Sequence, residues 1–405
     1  MKLLGFVFLS LGFLAQGGFD LQAEEVWIYF DSDRSRHASS ALSMERGFLT
    51  ALSEVNHKVG KRTLHFKRLD HRGNTSRSKN NMEAFLGDES ALFILGGIHS
   101  PPLIRHRSWI NDNRIPVVVP WAAGGPITRH PSKDNWIFRC SVDDTKAGQA
   151  LADFSTQTKG MKNPAMVMED TPWGRGNHRN VSAALLKTLG VETPILWFDW
   201  NTKEAGAKIK LRSLLKKGHD GIILVGNAVE SLAFCKAMVS MDQKVPIVSH
   251  WGITGGNFQE NLGSELLKQL DLSFIQTRFS FVSSQQNEFS QNVWSSAVSL
   301  FPKELNDPKK LVAPTGFIHA YDLGKIALEA MRTMEWGESP KASRGHFRLA
   351  MENLQKPVEG LVKTYEKPFR AWTENDPDAH EALGQEDLAF GRFTTNGSIE
   401  LIATP

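Results

Sequence analysis

The residue types able to do chemistry gather in five short turns. Gly96-Gly97-Ile98-His99-Ser100-Pro101-Pro102 and Trp121-Ala122-Ala123-Gly124-Gly125 come first. Glu169-Asp170-Thr171-Pro172-Trp173-Gly174, Gly226-Asn227-Ala228-Val229-Glu230 and His250-Trp251-Gly252-Ile253-Thr254-Gly255-Gly256 follow. Each stands directly after a short apolar run. In open α/β sheets ligands sit beyond the carboxyl ends of the strands, so these turns are the positions to inspect. Ser100 before Pro101 reads as a helix N-cap with proline in the first turn, leaving backbone amides for a ligand carboxylate or amide oxygen. The same spacing also reads as a cap that serves its own helix alone. Trp121, Trp173 and Trp251 supply large apolar faces that can close on a planar or cationic group.

Enzymatic chemistry demands spacings that the chain lacks. It has no His-Glu-x-x-His, Cys-x-x-Cys, Gly-x-Ser-x-Gly or Gly-x-x-x-x-Gly-Lys-Ser/Thr. Gly174-Arg175-Gly176 has no third glycine for a dinucleotide loop and reads as a turn into a helix. His99, His250 and His319 can approach a cleft, but sequence spacing does not join them into a metal site. Asp170 and Glu230 could act as acid and base; on different strand ends they more simply orient a ligand or form salt bridges. We expect no cofactor and no catalysis.

The elements that must hold these turns alternate. Apolar or β-branched runs at 26–30, 64–69, 92–95, 117–120, 165–168, 195–198, 221–225, 246–249 and 274–277 predict strands. Segments of helical period separate them. One is 175–189, with Val181, Ala184, Leu185 and Leu189 on one face and Gly190 as a stop; another is 317–334. This is the pattern of mostly parallel sheets covered by helices. So many strands exceed one ordinary doubly wound sheet, which predicts two units, with a first break near Ser141-Val142-Asp143-Asp144. No flexible linker marks it, so the units should touch and form a hinged cleft.

Composition is that of a globular chain: 405 residues, 41% hydrophobic, 22% charged. Lys+Arg 47 against Asp+Glu 44 leaves a net +3 that is spread along the chain, which excludes an electrostatic footprint for nucleic acid. Met1-Lys2 and the apolar run 3–15 have the form of a secretory signal peptide, with cleavage expected after Ala23. No Cys lies near that bond, so a lipid anchor is not expected. Cys140 and Cys235 are expected as two buried free thiols, although export would permit a bridge. The acidic stretch 368–391 lacks the spacing of a calcium loop and is expected to be a solvated surface excursion.

Taken in order, several motifs resemble one family. They are Gly47-Phe48-Leu49-Thr50-Ala51-Leu52 with Asn56 and Gly60, Asp70 and Gly73, Leu95-Gly96-Gly97-Ile98-His99-Ser100, and Ile115-Pro116 leading to Trp121-Ala122-Ala123. Trp136-Ile137-Phe138-Arg139 with Asp143-Asp144, the Asp170 to Gly174 turn, Ala320-Tyr321-Asp322 and Gly360-Leu361 continue the series. The chain resembles the type I periplasmic substrate-binding proteins of the branched-chain amino acid (leucine/isoleucine/valine-binding) family, receptors of ABC importers. The resemblance implies α/β architecture with two Rossmann-like lobes joined by three crossovers around a ligand cleft. It places an N-terminal lobe at 24–142 plus 273–357 and a C-terminal lobe at 143–272 plus 358–405. It also implies a periplasmic monomer that closes on a small molecule and delivers it to an ABC permease, or reports it to a membrane sensor.

The ligand-contacting positions of the family fall on Ser100, Trp121, Ala122, Ala123, Trp173, Asn227 and Trp251, and the neighbouring His99 and Glu230 join them as candidates. Amino-acid binders of the family carry a hydroxyl where this chain has Ala123 and a carboxylate in the turn after Ser249, where this chain has none. The expected ligand is therefore apolar or aromatic with a carboxylate or amide, unless Asp170 or Glu230 serves the ammonium of an amino acid.

Overall fold

A computed structural model describes residues 24–130, 132, 134–284 and 286–402; the expected signal segment at 1–23 lies outside the described residues. The first pass of chain comprises β1 (Glu24–Ser32), α1 (Ala38–Ser53), β2 (Lys58–Val59), β3 (Arg62–Asp70), α2 (Thr75–Gly87), β4 (Ala91–Gly96), α3 (Ser100–Asp112), β5 (Val117–Val119) and β6 (Ile137–Arg139). These strands form one sheet in the order β2-β3-β1-β4-β5-β6, parallel except for the β2–β3 hairpin. After a short crossover come α4 (Asp144–Asp153), β7 (Pro164–Glu169), α5 (Pro172–Leu189), β8 (Ile195–Phe198), α6 (Glu204–Leu215), β9 (Gly221–Val225), α7 (Ala228–Val239) and β10 (Ile247–Ser249). α8 (Phe258–Leu262), α9 (Ser264–Leu267) and β11 (Leu272–Thr277) complete the second pass.

The chain then returns to the first sheet with α10 (Glu288–Leu300), α11 (Pro314–Thr333), α12 (Arg344–Glu352) and the hairpin β12 (Val358–Glu359) and β13 (Thr364–Tyr365). It crosses once more into β14 (Leu388–Phe393) and β15 (Ile399–Ile402). The second sheet has the order β15-β14-β11-β10-β9-β7-β8, parallel from β11 to β8 and antiparallel at β14 and β15. Two Rossmann-like lobes joined by three crossovers result, as expected.

Every strand expected from an apolar run is present. Parallel strands covered by helices on both faces must be apolar on both faces, which is why β4, β7 and β9 are buried throughout. α1 and α11 pack tightly against each other. Gly47 permits this approach, since a Cβ there would lie 2.1 Å from the Phe317 carbonyl oxygen. α5 begins earlier than its period suggested, with the Thr171 hydroxyl accepting from the Gly174 amide, and it ends at Gly190 in the left-handed region with φ 73°.

Two expected boundaries move. β11 pairs with β10 and β14, so it belongs to the second sheet and the crossover follows Thr277 instead of preceding residue 273. The β12–β13 hairpin is tied to α11 of the first lobe, because Asp322 accepts from the amides of Leu361 (2.6 Å) and Val362 (3.0 Å) and from the Tyr365 hydroxyl (2.8 Å). The acidic stretch is a surface excursion only in part: Glu374 and Glu386 are exposed, but Phe369, Ala379, His380, Glu381 and Leu383 are buried, and β14 runs through its end. Arg139 neutralises Glu381 inside the protein, so the acid need not reach solvent. Both cysteines are free and buried, and burial pushes the Cys235 thiol up to about 12. No helix among the described residues is long and apolar enough to cross a membrane.

Candidate ligand-binding cleft

Carboxyl ends of strands from both sheets face each other across the lobe junction. Between them lies a slot walled by Ile98, His99, Ser100 and Pro101 after β4, Trp121 and Ala123 after β5, and, from the other lobe, Glu169, Trp173, Asn227, Trp251 and Gly252. The slot is narrow, its walls close to contact. Of the residues expected from sequence, His99, Ser100, Trp121, Ala123, Trp173, Asn227 and Trp251 meet here. Ala122 does not: it turns into the core beside Val117, Val119 and Ile127. Glu230 does not line the slot either; its carboxylate accepts from the Asn201 amide (3.2 Å) and lies 3.6 Å from the Arg36 guanidinium of the first lobe. Asp170 points outward to Arg175.

The cap at α3 also differs from expectation. His99, not Ser100, is the N-cap residue, and its side chain makes no capping bond. The Ser100 hydroxyl instead accepts from the Gly124 amide at 3.1 Å and fixes the turn after β5. Pro101 and Pro102 carry no N–H, so the first turn of α3 offers few amides to an anion.

Glu169 is the site residue that sequence reasoning missed. It is the last residue of β7, 1% exposed, and the one carboxylate among the described residues that line the slot. Burial raises its carboxyl to about 7; a hydrogen bond from Thr171 lowers it and the nearby Glu230 charge raises it again. The Asn227 side-chain amide donates to its other oxygen at 3.3 Å. The signal available in sequence was its place as the last residue of an otherwise apolar strand run.

Behind the slot, His250 stands edge-on to both Trp173 and Trp251, each ring at 5.1 Å, and bonds Asp144 at 3.0 Å. It props the two indoles and does not reach the slot. His319 bridges the Pro120 carbonyl (3.0 Å) and the Thr277 hydroxyl (2.8 Å), and burial pushes its imidazole down to about 4, so it stays neutral. The Trp121 indole N–H is buried without a protein acceptor, on a ring that lines the slot. Contacts between lobes surround this site: Arg36 stacks over Trp200 at 5.2 Å and donates to Asn201 at 3.2 Å, and the Ser39 hydroxyl donates to Asn257 at 2.9 Å. The lobes are closed.

A sequence model of the family described as "Periplasmic binding protein" matches residues 29–242, more than half of the chain. The chain belongs to the periplasmic binding protein family. No curated protein matches it by sequence. Solved periplasmic binding proteins share its fold. One is a periplasmic binding protein type 1 from Bordetella pertussis Tohama I, with TM-score 0.77, 16% identity, and coverage of 94% of this chain and 100% of the other. Another is the branched-chain amino acid transporter substrate-binding protein LivJ from Streptococcus pneumoniae in complex with isoleucine, with TM-score 0.73, 14% identity and coverage of 93% and 99%. A third is a solute-binding protein of an ABC transporter from Rhodopseudomonas palustris HaA2 in complex with p-hydroxybenzoic acid, with TM-score 0.73, 16% identity and coverage of 93% and 95%. Family membership explains the slot: a periplasmic binding protein holds its solute between two lobes, where the strand ends converge.

Proposed function

We propose that the protein is the exported solute-binding component of an ABC-type uptake system and takes a small ligand with an apolar or aromatic body into the slot. The observation that carries this reading is the meeting of Trp121, Trp173 and Trp251 with a single buried carboxylate, Glu169. The indoles give contact area at low entropy cost, and the carboxylate fixes the head group. A buried carboxylate without a cation is costly, and a ligand ammonium would relieve it. Glu169 therefore favours the amino-acid class over carboxylates and amides that lack an amine. It takes the part for which Asp170 or Glu230 was expected.

The slot is too narrow to hold a solute as the lobes stand, so binding requires the lobes to part, and closure on a ligand leaves them further apart than they are here. The closed form is the one a membrane permease would recognise. Export through a signal peptide cleaved after Ala23 belongs to the same proposal, as does a monomeric binding unit.

A thermal-shift panel tests the ligand class, setting aliphatic and aromatic amino acids beside matched carboxylates and amides without the α-ammonium. A ligand at a hundred times its dissociation constant stabilises by about 2.7 kcal/mol, a readily measured rise in Tm. A rise with amino acids alone supports the reading. A rise with acids or amides alone moves the ligand class to the carboxylates, and no rise with any compound removes the small organic solute.

A further inference from the structure

Asp33, His37 and His99 form a cluster at the lobe junction, of which only His99 borders the solute slot. Asp33 follows β1, His37 is four residues on at the start of α1, and His99 caps α3. All three are buried, at 0%, 5% and 4% exposure. Three ligand atoms converge: Asp33 Oδ2 lies 3.2 Å from His37 Nδ1 and 3.1 Å from His99 Nε2, and the two nitrogens are 3.2 Å apart. We propose that these three side chains form a site for a divalent transition-metal ion of the zinc type, with the fourth coordination position open.

The geometry carries the proposal. Ligand atoms about 2.0–2.1 Å from a tetrahedral zinc ion stand about 3.3–3.4 Å apart, so the observed triangle needs to widen by only about 0.2 Å to accept one. Such an ion sits about 0.7 Å out of the plane of its three ligands, which leaves a position on the far side for water or another donor. Two imidazoles and one carboxylate are the donor set that suits zinc and its neighbours more than calcium or magnesium.

Without a cation the three atoms crowd one another. If both imidazoles donate to Oδ2, their two N–H groups converge side by side on one oxygen; if one turns a bare nitrogen inward, that lone pair faces a carboxylate oxygen. A cation is attracted to all three at once. The outer arrangement also fits. Asp33 Oδ1 is held by the backbone amides of Ser35 (3.2 Å) and Arg36 (2.9 Å), which aims Oδ2 at the imidazoles.

Access is built in. His37 borders a solvent-open hollow between the lobes, shared with Arg36, Ser39, Ala228 and Asn257, while His99 borders the solute slot. Trp200 of the second lobe covers the cluster, its ring 5.5 Å from His99 and against Gly73. The metal site is independent of which solute the slot takes.

The test uses purified, tag-free protein, stripped with a chelator and dialysed against Zn2+, with bound metal measured by elemental analysis and affinity by competition with a chromophoric chelator. Co2+ substitution reads the coordination geometry. The expected result is one Zn2+ per chain and the intense visible absorption of four-coordinate Co2+. Asp33→Asn, His37→Gln and His99→Gln should each lose at least about tenfold in affinity, while His130→Gln on the surface leaves it unchanged. Asp33→Asn keeps an acceptor for the Ser35 and Arg36 amides, and circular dichroism verifies the fold of each variant. Zn2+ bound at well below one per chain, affinity unaltered by His37→Gln and His99→Gln, or octahedral-type Co2+ spectra in the unsubstituted protein would each overturn the proposal.

Discussion

The Arg139 guanidinium lies 2.6 Å from the Glu381 carboxylate, with both side chains wholly out of solvent and 242 positions apart in the chain. The same guanidinium bonds Asp143 at 2.7 Å, while Arg129 and Lys146 reach Glu381 from the other side at 3.0 and 3.1 Å. This network ties the first crossover to the segment that makes the last one. Burial raises the Glu381 carboxyl, but the charges of Arg139 and Arg129 outweigh it and hold the group below the ordinary value. Glu381→Ala should cost about 3 kcal/mol, because it strips a buried arginine of its central partner. Urea unfolding reads the loss. Raising salt in the parent protein should not reproduce it, since buried pairs are weakly screened.

Glu169 sets a pH dependence of binding. Its folded value of about 7 stands above the ordinary 4.5, so ionisation costs the folded protein stability as pH rises through that window. A ligand ammonium binds the ionised form. Affinity for an amine-bearing ligand should therefore increase as pH rises toward and through about 7, by up to tenfold per unit below it. Calorimetric titration across this range measures the slope. Glu169→Gln should flatten the slope and weaken binding; a slope of opposite sign would assign a ligand held by the protonated acid.

Trp173 is 7% exposed and closes the slot from the first turn of α5. Trp173→Ala should weaken ligand binding by about thirtyfold, near 2 kcal/mol, as for a central aromatic anchor at an interface. The fold should survive. Trp251→Ala should be worse for stability, because Trp251 is 2% exposed and packed against His250 and His319. Ligand titration alongside thermal melts separates the two effects.

Asp322 provides a stability test away from the cleft. Burial pushes its carboxyl up to about 7, against the lowering effect of the Leu361 and Val362 amides. Asp322→Ala leaves two amides and the Tyr365 hydroxyl without their acceptor and should cost about 3 kcal/mol or more. The sign of the pH effect follows from the raised value: the parent loses this group's contribution as pH rises from about 4 through 7. Denaturant midpoints of parent and variant should therefore differ less at pH 8 than at pH 5.

The residues that proved readable and those that did not differ in a consistent way. Strands β1, β4, β5, β7 and β9 to β11 were legible because parallel strands buried on both faces write themselves as apolar runs, and β3 and β8, only partly buried, kept enough apolar residues to be read. β14 was hidden, since an antiparallel strand next to acidic residues has no such run. β11 was recognised as a strand and placed in the wrong lobe, because a run of apolar residues is the same in either sheet and only its hydrogen bonds to β10 and β14 decide. Trp121, Trp173 and Trp251 were legible from their places after strands. Ala122 and Glu230 shared that signature yet face elsewhere, because the direction of a side chain in a turn depends on local backbone angles and on what packs beside it.

The sequence by itself determined the alternation of strands and helices, the two-lobed α/β architecture and the family, all of which rest on local periodicity and short motifs. Only the tertiary structure decided which acid lines the slot, which strand joins which sheet, and that Asp33, His37 and His99 converge. Those outcomes depend on contacts between residues far apart in the chain. His99 and Asp33 are 66 positions apart and meet only because β1 and β4 are neighbours in the sheet. Glu381 finds Arg139 only because the last crossover lies beside the first. Pairing across such distances is fixed by packing and hydrogen bonding of the whole fold, and a linear pattern of residue types does not carry it.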